Sequence, residues 1–436
     1  MSEDNFDPEA FAEFLRKFLE QQGGMDPEQL AAAAGLANDP RAMQEFIRQL
    51  QASISASEKD LVGGVNWKLA SEQARKTAAE GAHAVSDKER SELNAAIQMA
   101  ELWLNEATAL SPLTNSPKLV TRELWVADAL PLFQELSQPI AERMANALTE
   151  NLQQNMPEEF GGMLAGASGM LRSAGGTLFA MQLGQTLGKL SHEVFSGGDL
   201  GLPFFSDQRA AFVPQNITAY LREIDVPADQ ALIYLAVREL AHARLFKNSK
   251  WLRDAVVTQI INYARGISID NEKMSDLAED FDFNDAERLR EALGNGELLA
   301  ERSPDQVRAL AALEDTLALI EGWVEAVTDD AVKRLPSAAA LSELIRRRRA
   351  TGSPAEATFG TLVGLDLRPK RIREAAAMWR EVGQLVGAEK RDSLWDHPDL
   401  LPTSSDIDDP KKLVNKLRGI DLGDAMDQAL RDLLGE

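Results

Sequence analysis

Cysteine is absent from the 436 residues, and histidine occurs only at His83, His192, His242 and His397. The first absence excludes disulfide frameworks, thiolate zinc sites, cysteine nucleophiles and thiolate-held iron–sulfur clusters. The second confines any imidazole chemistry to four positions. Positive charge is scarce as well: 46 Lys and Arg face 69 Asp and Glu, a formal net charge of −23. Such a chain is poorly suited to neutralising phosphates or settling on anionic lipid, so neither nucleic acid nor membrane is expected as a partner. Long apolar runs are missing too. The stretch 161–188 comes nearest, but Arg172 interrupts it and Gly, Ser, Thr and Gln dilute it. It falls short of the ~20 predominantly apolar residues of a membrane helix. The opening MSEDNFDPEAFAEF has neither the basic nor the apolar segment of a secretory signal. A cytoplasmic location is the expectation.

What is present reads as an ordinary globular chain, 44% hydrophobic and 26% charged. Apolar residues recur every three or four positions nearly throughout, aromatics are 6% and tyrosines number three, so the fold class is mainly α. Helices are expected at about 66–84, 87–109, 121–151, 161–194, 216–223, 228–246, 250–266, 285–294, 304–333, 338–350, 355–364 and 370–387. Ala211–Val213 is a candidate short strand. The start at 304 is the best marked: Ser303 is a natural cap, Pro304 suits the first turn, and Gln306 completes a capping box. Residues 1–56 stand apart, with ten acids against Arg16, Lys17, Arg41 and Arg48 and only two short amphipathic patterns. They are expected to be a loosely attached acidic appendage to a helical body at 57–436, which carries a C-terminal extension.

Three motif-like strings fail on their own chemistry. Gly184 to Ser191 has one residue too few between its glycines for a phosphate loop, and Leu190 follows Lys189 where Ser or Thr is required. Asp280, Asp282, Asn284 and Glu291 have calcium-loop spacing, but Asp285 occupies the position that needs Gly. Arg346 to Arg349 form a basic tetrad in an acidic chain, which suits a solvated helix end or an intramolecular acid-binding patch.

The fourth string carries more. Ala236-Val-Arg-Glu-Leu-Ala-His-Ala-Arg-Leu-Phe246 reads R-E-x-x-H on a helix. At 100° per residue Arg238 and His242 share a face and Glu239 projects beside them. The string continues into Trp251-Leu-Arg253, Tyr263-Ala-Arg-Gly-Ile267 and Glu321-Gly-Trp-Val-Glu325. Leu362-Val-Gly-Leu-Asp-Leu-Arg-Pro-Lys-Arg371 and Arg391-Asp-Ser-Leu-Trp-Asp-His-Pro-Asp-Leu-Leu-Pro402 follow. In that order the series resembles a bacterial family of zincin-like, zinc-dependent metallopeptidases, over about residues 60–415.

The resemblance implies a multi-helix zincin-like fold in the body, zinc as cofactor, and a peptide or protein as substrate or partner. It also implies Glu239 as general base, with His242 and Glu321 as zinc ligands. Arg238 is the departure: it stands where the H-E-x-x-H motif places the first ligand histidine, and a guanidinium only donates. The transfer therefore supplies two ligands where a catalytic zinc uses three, unless His192 or His397 lends another. Three readings stay open. Zinc-assisted hydrolysis would use Glu239 as base. Alternatively, Arg238 sits in the metal's place and pairs with Glu321, leaving a helical scaffold with a degenerate cleft. In the third, the acidic first 56 residues recruit a basic partner. Arg238→His is expected to rebuild a His/His/Glu set.

Overall fold

The computed structural model describes residues 65–155 (side chains to 142), 176–268 apart from 178, 203 and 205–208, 300–352, 370–419, and positions 270, 273, 357, 358 and 360. The expected helices at 285–294 and 355–364, the calcium-like spacing at 280–291 and the acidic residues 1–56 lie outside these, wholly or nearly so. The chain divides into two units. One comprises Met1–Asn66, Met144–Leu178 and Ser268–Ala300, and few of its residues are described. The other comprises Trp67–Arg143, Phe179–Ile267 and Glu301–Glu436, and it holds the candidate site.

The described part of the second unit is built almost wholly of helices, one of which has its end, 144–155, in the first. In chain order they are α1 (Trp67–Ala78), α2 (Asp87–Ala107), α3 (Arg122–Asn155), α4 (179–190), α5 (Pro214–Leu221) and α6 (Ala228–Asn248). There follow α7 (Lys250–Arg265), α8 (Pro304–Ala331), α9 (Ala338–Thr351), α10 (Ile372–Asp392), α11 (Ser404–Asp408) and α12 (Pro410–Arg418). Two strands of two residues, β1 (Lys118–Leu119) and β2 (Ala211–Phe212), pair in parallel, Lys118 with Ala211 and Leu119 with Phe212.

Local chemistry explains several helix starts. Ser303 caps α8 by a reciprocal box: its hydroxyl accepts from the Gln306 N–H at 3.2 Å, and the Gln306 side chain accepts from the Ser303 N–H at 3.1 Å. Ser86 and Glu89 form the same box at the start of α2. α5 begins two residues before its expected start because Pro214, lacking an N–H, fits the first turn without losing a bond. α10 is interrupted at Gly387, where φ is +87°, and continues to Asp392.

α6 and α8 form the centre. Both are buried on nearly every face over the residues that matter, α6 from Tyr234 to Phe246 and α8 from Thr316 to Thr328. α8 packs on α10, α7, α6 and α2, and α2 also packs on α6. At the far end of the core Trp395 is fully buried, stacked on Trp379 at 5.4 Å and edge-on to Trp323. Asp392 fastens this corner. Its carboxylate accepts from Arg391, the Trp323 indole N–H (2.9 Å), the Thr108 hydroxyl (2.6 Å) and the Ala109 N–H (2.8 Å).

The small sheet matters for what hangs from it. Gly197 donates to the Ala211 carbonyl at 2.9 Å and Val213 to that of Phe195 at 2.8 Å, so the loop 195–201 is pinned to β2. That pinning holds the loop across the middle of α6.

Candidate functional site

The R-E-x-x-H string lies in the middle of α6, where the helix is most buried. Glu239 is 3% exposed. One carboxyl oxygen, Oε2, accepts from the Gly198 N–H at 2.8 Å and the other, Oε1, from the Ala211 N–H at 2.9 Å. Burial pushes its pKa up to about 7, against the downward pull of these bonds. Both oxygens are thus engaged by the loop and strand that the sheet positions.

His242 sits one turn from Arg238 and against Phe246, ring centroids 4.8 Å apart. Gly198 crosses so close that a Cβ there would lie 2.4 Å from the His242 Nδ1. Burial drives the imidazole pKa down to about 4, with the nearby Glu321 charge opposing, so the ring is neutral at pH 7. Its Nε2 is buried without a hydrogen-bond partner.

Glu321 reaches the same place from α8 and meets two guanidiniums. Oε2 accepts from Arg238 Nη2 in a close contact. Oε1 lies 3.2 Å from Arg349 Nη2, near enough to pair as charges but not aligned as a hydrogen bond. The Glu321 side chain is 2% exposed, those of Arg238 and Arg349 13% and 11%. Burial raises the Glu321 pKa, but the two arginines outweigh it and hold the carboxyl ionised. Burial lowers the Arg238 pKa, and Glu321 first, with Tyr234, Asp199 and Glu325, raises it above the ordinary value.

The loop completes the arrangement. Asp199 accepts from the Phe195 N–H at 2.9 Å and from Arg348 Nη1 at 3.0 Å, while its carbonyl accepts from Arg349. Burial raises its pKa, yet Arg348 and Arg349 bring it below the ordinary value. Arg348 also lies over the Phe195 ring, 3.8 Å from its centroid. At Gly201 φ is +73°, a conformation that favours glycine, and a Cβ there would come 2.7 Å from Glu321 Oε1. The tetrad is therefore spent inside the chain: Arg346 pairs with Glu325 at 3.0 Å and Arg347 with Glu343 at 2.7 Å. Arg348 and Arg349 serve the loop and Glu321.

Arg238, Glu239, His242 and Glu321 line one narrow space of about 10 Å³, room for roughly one water molecule. Neither other candidate histidine is among its lining residues. His192 Nε2 lies 2.9 Å from the Thr77 carbonyl, and His397 Nδ1 accepts from the Asp399 N–H at 3.2 Å. Arg238 and Glu321 also form part of the wall of a much larger cleft of about 570 Å³, with Tyr234, Ser342, Ile345 and Arg349. Asp199, Gly198, Gly201 and Arg349 are site residues that reading along the sequence passes over. Their only signals are a Gly-Gly-Asp-Leu-Gly run and a basic helix end.

The donor set does not fit a catalytic zinc. His242 Nε2 is free to ligate, but Glu239 is held by two amides and Glu321 by two cations. Arg238 brings a fixed positive charge to the first ligand's position. Among the described residues no group of three or more His, Asp or Glu is arranged to hold a metal ion.

A family model described as zincin-like metallopeptidase matches residues 65–414. Among proteins of curated function, none matches this sequence. A crystal structure from Chloroflexus aurantiacus, described as a candidate hydrolase with a novel fold, is similar in fold. Its TM-score is 0.55 at 18% identity, covering 81% of this chain and 99% of that one. No described helix is long and apolar enough to cross a membrane.

Proposed function

The chain belongs to the zincin-like metallopeptidase family, and from that premise we propose that it is a member whose cleft binds a peptide or protein segment without a zinc ion to cut it. One observation carries the reading: Glu321 is the counter-ion of Arg238 and Arg349 at once. In a zinc peptidase a carboxylate in its position would be a ligand, and the metal would polarise a carbonyl and acidify a water. Here a guanidinium supplies the positive charge. It holds the fold together but offers no open coordination position and no acidified water.

Glu239 favours a second reading. A pKa of about 7 suits a general base, which a hydrolase would need in this place. Both of its oxygens, however, already accept backbone N–H groups, and the space beside it has room for roughly a water rather than a peptide bond.

Calorimetric titration of zinc into metal-stripped protein is the test, with unlabelled peptides incubated in parallel and examined by mass spectrometry. The expected result is no stoichiometric heat in the tight range and intact peptides. Tight one-to-one zinc binding, or zinc-dependent cleavage, would overturn the reading. Arg238→His, taken alone, is expected to gain little, because Arg349 remains on Glu321. The simple restoration suggested by the motif neglects this second cation.

A further inference from the structure

Among the described residues, the cleft that Arg238 and Glu321 help to line has no assigned occupant. It is about 570 Å³, within the range of sites that hold a small ligand or a short piece of peptide. On a chain of net charge −23 its wall is locally basic, with Arg238, Arg346, Arg349, Lys370 and Arg373 against three glutamates, Glu321, Glu325 and Glu374.

The pairing within the wall is unequal. Arg346 and Arg380 share Glu325 and Asp329, two cations on two acids. Lys370 has its own partner, Glu314, at 3.0 Å. Deeper in, three arginines, Arg238, Arg348 and Arg349, share two carboxylates, Glu321 and Asp199. One buried positive charge at the inner end of the cleft therefore lacks a full counter-charge, a costly state that a bound anion would relieve. Arg373 adds an exposed guanidinium at the mouth. Ile345, Ala350 and Ile372 supply apolar wall beside these cations, and Tyr234 and Ser342 supply hydroxyls.

We propose that this cleft binds the free carboxyl terminus of a peptide. The carboxylate pairs with Arg349 and Arg238, and a hydrophobic last side chain lies against Ile345 and Ile372. Guanidinium forks match planar carboxylates, and a single negative charge suffices to balance the surplus. The proposal rests on the reading that the cleft holds a peptide, and it adds which end of the peptide is recognised.

The test uses the full chain and an N-acetylated tetrapeptide ending in leucine, as free acid and as C-terminal amide, measured by calorimetry. The acid is expected to bind at least about tenfold tighter than the amide. Arg373→Gln, an exposed change, is expected to weaken the acid by roughly three- to tenfold and leave the amide unchanged. Arg349→Met, checked for folding by circular dichroism, is expected to abolish most of the acid-to-amide difference. Equal binding of acid and amide, or no binding of either, would overturn the proposal. So would displacement of the acid by an equal concentration of inorganic phosphate, which would make this a phosphate site. Zinc-dependent cleavage of the peptide would overturn the non-hydrolytic reading alone, and the acid-to-amide ratio would still decide this one.

Discussion

Glu239 and His242 are about one turn of helix apart in the same narrow buried space, and burial moves their pKa values in opposite directions, to about 7 and about 4. A carboxyl raised from 4.5 binds more protons folded than unfolded between pH 4.5 and 7, so its contribution to stability falls as pH rises through that window. An imidazole lowered from 6.5 binds fewer protons folded between pH 4 and 6.5, so its contribution rises there. Over pH 4.5–6.5 the two nearly cancel. Glu239→Gln should uncover the histidine: its stability, from urea unfolding at several pH values, should rise with pH by up to about 1.4 kcal/mol per unit relative to wild type. A variant whose pH dependence matches wild type would show that Glu239 titrates alike in the folded and unfolded chain. Gly201→Ala should cost about 1–3 kcal/mol in the same assay, from its left-handed backbone and the contact with Glu321. The spacing of Arg238 and His242 on one helix face is legible in sequence, because it is local. Asp199 and Arg349 are 150 positions apart and belong to no shared period, so nothing along the chain announces that they meet.

At the scale of elements, the capping box makes a separate prediction. Ser303→Ala removes the side-chain acceptor for the Gln306 N–H at the start of α8 and should cost about 1 kcal/mol, read as a lower urea midpoint. Asp392→Asn should cost more, about 3–5 kcal/mol, because Arg391, 5% exposed in its side chain, would keep a buried charge without its acid. A loss under 1 kcal/mol would mean that Arg391 finds another partner. Helices were the readable part of this fold: α2, α6, α7, α8 and α9 begin and end within two residues of their expected limits. Their apolar spacing, caps and prolines are local signals. The two-residue strands were half readable. Ala211 and Phe212 stand out as a strand candidate, but Lys118 and Leu119 carry no alternation and exist only because β2 pairs with them. Gly197 and Gly198 lie beyond the end of α4 at residue 190, in the loop that pairs with β2, and Gly198 lets the backbone approach His242.

For the whole molecule, a net charge of −23 implies self-repulsion that salt should screen. The melting temperature should therefore rise as sodium chloride goes from about 20 to 200 mM, over which the Debye length shortens below 10 Å. A flat or falling profile would mean that internal ion pairs such as those of the 346–349 tetrad outweigh the repulsion. The two arginines on Glu321 have a consequence in another currency, that of evolutionary reversibility. Replacing Arg238 alone leaves Glu321 and Arg349 balanced one to one, so the carboxylate has no reason to take a metal. Replacing Arg349 as well frees Glu321 but strands it as a buried, unpaired anion until an ion arrives. An Arg238→His, Arg349→Met protein should melt below wild type without zinc and recover with it. A lineage in this state could regain a metal only by passing through a destabilised intermediate, which makes the arginine exchange a ratchet.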